Sequence, residues 1–144
     1  MANKEIESVI LFQLDITNKI AKQFSQREFD RLKLGITVDQ WVLLKIIDDF
    51  GKLSQIELAQ TSVRDPASIT RTLDLLEKKG FVQRNAIVSD RRQYSIELTS
   101  EGKKFVTENM VMVKEHRNKS IAGFTNEELN SLSAMLNRIQ QNMN

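Results

Sequence analysis

Apolar residues recur at intervals of three and four along most of the chain, which predicts a mainly helical protein. Only residues 81–98 depart from this spacing. Apolar and polar residues alternate there from Tyr94 to Leu98, which is the period of a half-buried strand. A shorter strand at Phe81 and Val82 precedes it across a polar turn, so we expect a small β-hairpin.

Polar caps and glycines mark where the predicted helices begin and end. Thr37, Ser54 and Thr125 are each followed three residues later by glutamine or glutamate, the pattern of a capping box. Asp65 followed by Pro66 is a favoured N-cap with proline at the first helical position. The predicted helices cover approximately residues 4–33, 37–50, 54–61, 65–79, 99–122 and 125–143.

Glycines supply the predicted stops. Gly35 is expected to end the first helix, and Gly51 is expected to supply the left-handed stop of the second. The inner face of that second helix is predicted to carry Trp41, Leu44, Ile47 and Phe50.

The helix predicted for residues 65–79 has two distinct faces. Its buried side is marked by Ile69, Leu73 and Leu76. The opposite side carries Ala67, Ser68, Thr70, Arg71, Leu75 and Lys78. A short helix, a tight turn, this second helix and a hairpin together make a winged helix-turn-helix, in which the second helix enters the major groove of DNA.

The distribution of charge fits this interpretation better than the net charge does. The whole chain carries only +2, from 21 basic and 19 acidic residues. Residues 62–92 hold seven basic and four acidic residues, so the positive excess lies in the winged segment. A surface that faces phosphates requires such a concentration.

Several other classes of function find no support in the sequence. The chain has no cysteine and one histidine, His116, which excludes disulfides, thiolate nucleophiles and multi-histidine metal sites. No nucleophile–base pair or phosphate loop stands out, so we expect neither an enzyme nor a cofactor. The first residues lack the apolar core of a signal peptide, and no run is long enough to cross a membrane. We therefore expect a cytoplasmic protein.

Two arginines are the main candidates for DNA contact. Arg71 could address guanine with two hydrogen bonds, although a solvated helix face would also tolerate it. Arg92 at the wing tip could enter the minor groove with Asp90 as its ion-pair partner, although such pairs are also common in polar surface turns. The order of these features along one segment favours the functional interpretation.

The segments 68–84 and 90–102 resemble the MarR family of bacterial transcriptional regulators. Shared features include the Thr70–Arg71 pair, the Glu-Lys-Lys-Gly helix end, the Asp-x-Arg wing tip and Leu-Thr-x-x-Gly at residues 98–102. The resemblance implies that Arg92 contacts the minor groove and that Gly102 lies early in the fifth helix. Two departures are Leu75, where the family often has a basic or polar residue, and the absence of the cysteine used in peroxide sensing.

The resemblance and the residue pattern together give one set of predictions. The fold is mainly α with a small hairpin wing, in a single domain of residues 1–144. Residues 36–100 form the winged helix-turn-helix lobe, and residues 1–34 and 101–144 form dimerisation helices. The predicted DNA-binding residues are Ser54, Pro66, Ala67, Ser68, Thr70, Arg71, Lys78, Arg84, Asp90, Arg91 and Arg92.

The predicted function is sequence-specific binding of double-stranded DNA by a homodimeric repressor on a pseudo-palindromic operator. A monomer with a four-helix core is the alternative assembly. The resemblance also allows for a small aromatic or anionic effector, for which Phe12, Ile16 and Trp41 are candidate lining residues as well as ordinary core residues. The alternative function is a winged-helix module that binds protein without binding DNA.

Overall fold

The computed structural model describes residues 4–144, and at Asp90, Arg91 and Arg92 it describes the backbone alone. The elements of this part of the chain are α1 (Ile10–Arg31), α2 (Val38–Phe50), β1 (Leu53–Ser54), α3 (Gln55–Ser62), α4 (Pro66–Lys78), β2 (Val82–Ile87), β3 (Asp90–Leu98), α5 (Ser100–Asn118) and α6 (Asn126–Met143). Short 3-10 turns at Glu5–Ser8 and Lys119–Ile121 precede α1 and follow α5. The predicted winged helix-turn-helix with flanking helices is confirmed.

The predicted helix starts are confirmed by their hydrogen bonds. Thr37, Ser54 and Thr125 each form a capping box with both of its bonds. The Asp65 carboxylate accepts from the Ser68 amide at 2.9 Å, and the Thr99 hydroxyl accepts from the Gly102 amide at 3.0 Å. These bonds satisfy backbone donors that the first turn of a helix leaves without partners.

The predicted bounds of the first helix were wrong at both ends. Its first residues form the separate 3-10 turn, and α1 begins at Ile10. It ends at Arg31 rather than near Gly35, because Lys33 takes the left-handed conformation with φ of 54°. The Leu34 amide then donates to the Phe29 carbonyl at 3.1 Å, which satisfies a carbonyl of the last turn.

The sheet has one strand more than the hairpin that the sequence predicts. It is antiparallel with the order β1-β3-β2, and Leu53 lies opposite Ile96. The hairpin strands are also longer than predicted, because β2 extends to Ile87. Most residues that extend β2 are polar and give no alternating signal, and β1 has only two residues.

The core lies where α2, α3 and α4 meet the sheet, α5 and the end of α1. Trp41 packs edge-on against Phe29 and Phe105, with ring centroids 6.3 and 6.2 Å apart. Its predicted inward position is confirmed, together with those of Leu44 and Ile47. Phe50 was predicted to be buried and is exposed, because it occupies the last position of α2 beyond the packed part of the helix.

The first half of α1 and the whole of α6 contribute nothing to this core. Phe29 is the one buried residue of α1, and α6 has none. The exposed apolar residues of these two helices include Ile10, Leu11, Ile16, Ile20, Leu132, Met135 and Met143. Within residues 4–144, no helix combines the length and the apolar character needed to cross a membrane.

The start of α5 lies directly against the turn between α4 and β2. The Thr99 amide donates to the Phe81 carbonyl at 3.0 Å, and the Thr99 hydroxyl donates to the Gly80 carbonyl. A β-carbon at Gly102 would overlap the Phe81 carbonyl oxygen. Glycine is therefore required at this position by the close approach of two backbones, which fixes the base of the wing on α5.

We expect Gly102→Ala to lower the free energy of unfolding by at least about 2 kcal/mol, because the new methyl group must displace backbone rather than a side chain. Urea denaturation of the full chain measures this loss. Ser100→Ala, an exposed position in the same helix turn, is the matched control and should change stability by less than about 0.5 kcal/mol. Equal stability of the two variants would contradict the close contact.

Candidate nucleic-acid interface

Helix α4 presents one face to the core and the other to solvent. Ile69, Leu73 and Leu76 are fully buried, as predicted from their spacing. The helix begins at Pro66 behind the Asp65 cap, and its exposed N-terminal turn lies at the surface. The predicted two-sided character of this helix is confirmed.

The exposed face is built from residues one helical turn apart. Ala67, Arg71 and Leu75 follow one another at intervals of four, and all three are exposed. Lys78 is exposed beside them near the end of the helix. The face combines small, cationic and aliphatic side chains on a convex helix surface, which a DNA major groove can accommodate.

The turn between α3 and α4 is organised by Arg64, which sequence reasoning missed. Its Nη2 donates to the Ser68 hydroxyl at 2.7 Å and lies 3.4 Å from the Thr72 hydroxyl, while its buried Nη1 has no hydrogen-bond partner among the described atoms. Ser68 is therefore half-buried and engaged within the fold. The spacing of Arg64, Ser68 and Thr72 by four residues was the available signal.

A side-chain hydrogen bond joins α3 to α4. Gln55 Nε2 donates to the Thr70 hydroxyl at 2.7 Å, and that hydroxyl donates in turn to the Pro66 carbonyl at 3.0 Å. Ser54 caps α3 directly before Gln55 and accepts from the Glu57 amide at 3.0 Å. Two predicted site residues, Ser54 and Thr70, thus lie close to one surface, and Gln55 links them. No sequence signal marks a contact across 15 residues.

The base of the wing is joined to α4 by ion pairs. Arg84 in β2 donates through Nε to Glu77 at 2.9 Å and through Nη2 to Asp74 at 2.7 Å. The pKa of the Arg84 guanidinium is raised, mainly by its hydrogen bond to Glu77. Partial burial acts in the opposite direction and lowers this pKa, whereas the hydrogen bond to Asp74 raises it further. The sequence predicts Arg84 as a direct DNA contact, whereas its guanidinium here faces α4.

An open cleft of about 500 Å³ lies between the wing on one side and α3 with the start of α4 on the other. Gln55, Ile56 and Thr70 line one side, and Arg84, Gln93 and Tyr94 line the other. The cleft is therefore bounded by both helices of the motif and by both strands of the hairpin.

The tip of the wing carries the remaining candidates. The hairpin turns at Val88 and Ser89, and β3 begins at Asp90 opposite Ile87. The side chains of Asp90, Arg91 and Arg92 lie outside the described residues, so the predicted pairing of Asp90 with Arg92 stays a prediction. Among the side chains that are described, no group of three histidine or acidic residues is arranged to hold a metal ion.

Comparison with protein families matches residues 36–94 to the model of the MarR family. This segment runs from the loop before α2 to the middle of β3 and contains the whole helix-turn-helix. The resemblance to the MarR family is confirmed.

Solved structures of MarR-family proteins extend the likeness to the helices that flank this segment. A crystal structure of a protein named MarR is 26% identical with a TM-score of 0.80, and the match covers 99% of this chain and 95% of that one. A cysteine-to-serine mutant of MarR from E. coli, complexed with operator DNA, is 21% identical with a TM-score of 0.82 and coverages of 95% and 99%. MepR from S. aureus, in a complex with DNA, is 21% identical with a TM-score of 0.79 and coverages of 93% and 98%.

We expect Arg84→Met to lower the free energy of unfolding by about 1 kcal/mol, because Arg84 is largely shielded while both carboxylates are about half exposed. The loss should be smaller when Glu77→Gln is already present, since one partner of the pair is then gone. Urea denaturation of the two single variants and the double variant measures this coupling. If the losses in free energy of unfolding of the two single variants add up to that of the double variant, the ion pairs do not hold the wing.

Proposed function

We propose that this chain is a DNA-binding transcriptional regulator, and more specifically a homodimeric repressor on a pseudo-palindromic operator. The observation that carries the proposal is the face of α4 with Arg71 and Lys78 exposed beside a wing that rises from the same side. The DNA complexes of the similar MarR and MepR structures support this use of the fold.

The position of each residue in the fold supports the role that we propose for it. Arg71 is placed to address a base edge or phosphate, and Lys78 is placed to contact the backbone further along the groove. Ala67 and Pro66 are exposed and compact, which leaves room for close approach at the N-terminus of α4. Arg84, Gln55 and Arg64 hold the helices and the wing in position. Arg91 and Arg92 with Asp90 are proposed, from their place at the wing tip, as minor-groove contacts.

The alternative is a winged-helix module that binds protein without binding DNA. Selection of binding sequences from random duplex DNA separates the two functions. A conserved sequence with two half-sites about one helical turn apart supports the repressor, and the absence of any enriched sequence supports the module. Loss of repression of a reporter placed behind that sequence, when the gene is deleted, tests the sign of regulation.

We expect Arg71→Ala to weaken DNA binding and relax the base preference at one position per half-site by about 1–3 kcal/mol. Arg92→Ala and Lys78→Ala should weaken binding to all sequences alike and each reduce the salt dependence by about one phosphate equivalent. Gel shifts over a range of salt concentrations measure both effects. Lys104→Ala, which removes an exposed cation from α5, is the control and should leave binding unchanged. Unchanged affinity in all three variants would contradict this docking.

The proposed homodimer rests on the apolar residues that α1 and α6 leave exposed. We expect the wild-type chain to have twice the monomer mass in light scattering, because association would remove these residues from water. Ile20→Glu should yield a folded monomer, since Ile20 is 58% exposed within one chain. Ile56→Glu, at a position on α3 that is 51% exposed, should leave the dimer intact. A wild-type monomer at micromolar concentration would contradict the two-half-site model.

A small aromatic or anionic effector that relieves repression is the part of the proposal that rests on the family resemblance alone. The three residues named for its pocket lie far apart: Trp41 meets α1 at Phe29, and Ile16 lies 13 residues earlier, about 20 Å along the helix. Phe12 lies one turn further still. These residues do not form one pocket within a single chain.

A further inference from the structure

Leu75 is an aliphatic side chain on the exposed face of α4. The other leucines and the isoleucine of this helix are fully buried, whereas Leu75 is 47% exposed. It belongs neither to the core cluster nor to the partly buried residues that pack against it. The fold of the single chain therefore gives Leu75 no core-packing role.

Leu75 lies within the exposed face of α4 that we propose to contact DNA. It follows Arg71 by one helical turn and Ala67 by two, and Lys78 lies three residues further on. The main packing partners of α4 are α3 and β2, and neither α1 nor α6, which carry the apolar residues of the proposed dimer surface, is among them. A second copy of the chain is therefore a poor candidate to cover Leu75.

The chemistry of a leucine side chain limits what it can recognise in a major groove. It has no donor or acceptor, so a polar base edge placed against it would lose its water without gaining a hydrogen bond. Thymine offers the one apolar group in this groove, the methyl group at C5. Contact between the two removes apolar surface of both from water.

We propose that Leu75 is a specificity-determining residue that packs against the 5-methyl group of one thymine in each half-site. This inference rests on the proposed DNA-binding function and adds a base preference to it. The neighbouring Arg71 would then read the adjacent part of the half-site, so that one row on α4 combines a polar and an apolar contact.

Replacement of single thymines by deoxyuridine tests this contact, because it removes the methyl group and leaves the base pair intact. The DNA is the sequence selected by the wild-type protein, and affinity is measured by fluorescence anisotropy for each substituted duplex. At one thymine per half-site, deoxyuridine should weaken wild-type binding about fourfold, the effect of one methylene-sized group. Leu75→Ala should bind the two duplexes equally at that position and keep its sensitivity elsewhere.

Two further variants make the result specific. Leu75→Met retains an apolar side chain of similar size and should retain the deoxyuridine effect. Val42→Ala truncates an aliphatic residue of α2 that is 45% exposed, close to the exposure of Leu75, and should behave as wild type. Leu75→Gln, put through the same selection from random DNA, should lose the preference for thymine at that one position.

The outcomes distinguish this inference from the function beneath it. If Leu75→Ala keeps the wild-type sensitivity to deoxyuridine at every position, the thymine contact is wrong while DNA binding stands. A contact with sugar or phosphate would give that result, with weaker binding to all duplexes. If the wild-type protein selects no DNA sequence, the proposed function fails and the inference fails with it.

Discussion

Burial of the inner face of α4 is the constraint on which the candidate interface depends. Ile69, Leu73 and Leu76 are fully enclosed by the core, and removal of each from water contributes roughly 1.5–3 kcal/mol. A rotation of α4 by one residue would expose part of this surface and bring polar side chains into the core. The outward direction of Arg71 and Leu75 is thus fixed by side chains on the opposite side of the helix.

The two carboxylates of α4 show how the wing and the helix depend on one another. Asp74 and Glu77 would repel phosphates if they stood alone near a DNA-facing surface. Arg84 from β2 lies against both of them, so the pairs reduce the local negative charge and hold the hairpin beside the helix. The same arginine therefore has an electrostatic effect and a positional one.

Much of the helical architecture could be predicted because its signals are local. The capping boxes at Thr37, Ser54 and Thr125 need only four residues each, and all three are formed. The left-handed stop at Lys33 escaped prediction because a lysine there depends on how Leu34 and Phe29 are placed by the core. The strand β1 escaped for a similar reason, since two residues have no periodicity.

The candidate site divides in the same way. The two faces of α4 follow from the spacing of its apolar residues. The order of the short motifs along the winged segment is what indicates the resemblance to the MarR family. The bonds of Gln55 to Thr70 and of Arg84 to Asp74 and Glu77 join residues 7 to 15 positions apart, for which the sequence offers no local signal. Arg64 is an intermediate case. Its spacing of four residues from Ser68 could be seen in the sequence, whereas the burial of its guanidinium could not.

The short strand β1 has a mechanical consequence for the whole winged lobe. Ser54 pairs with β3 and also caps α3, so the hairpin is joined through one residue to the first helix of the motif. With Arg84 as the second attachment, to α4, the hairpin cannot tilt without moving the helices that it flanks. In the proposed dimer, each winged helix-turn-helix lobe would move as one rigid body. A signal that alters DNA affinity would then change the distance and angle between the two lobes, and the internal structure of each lobe would stay the same.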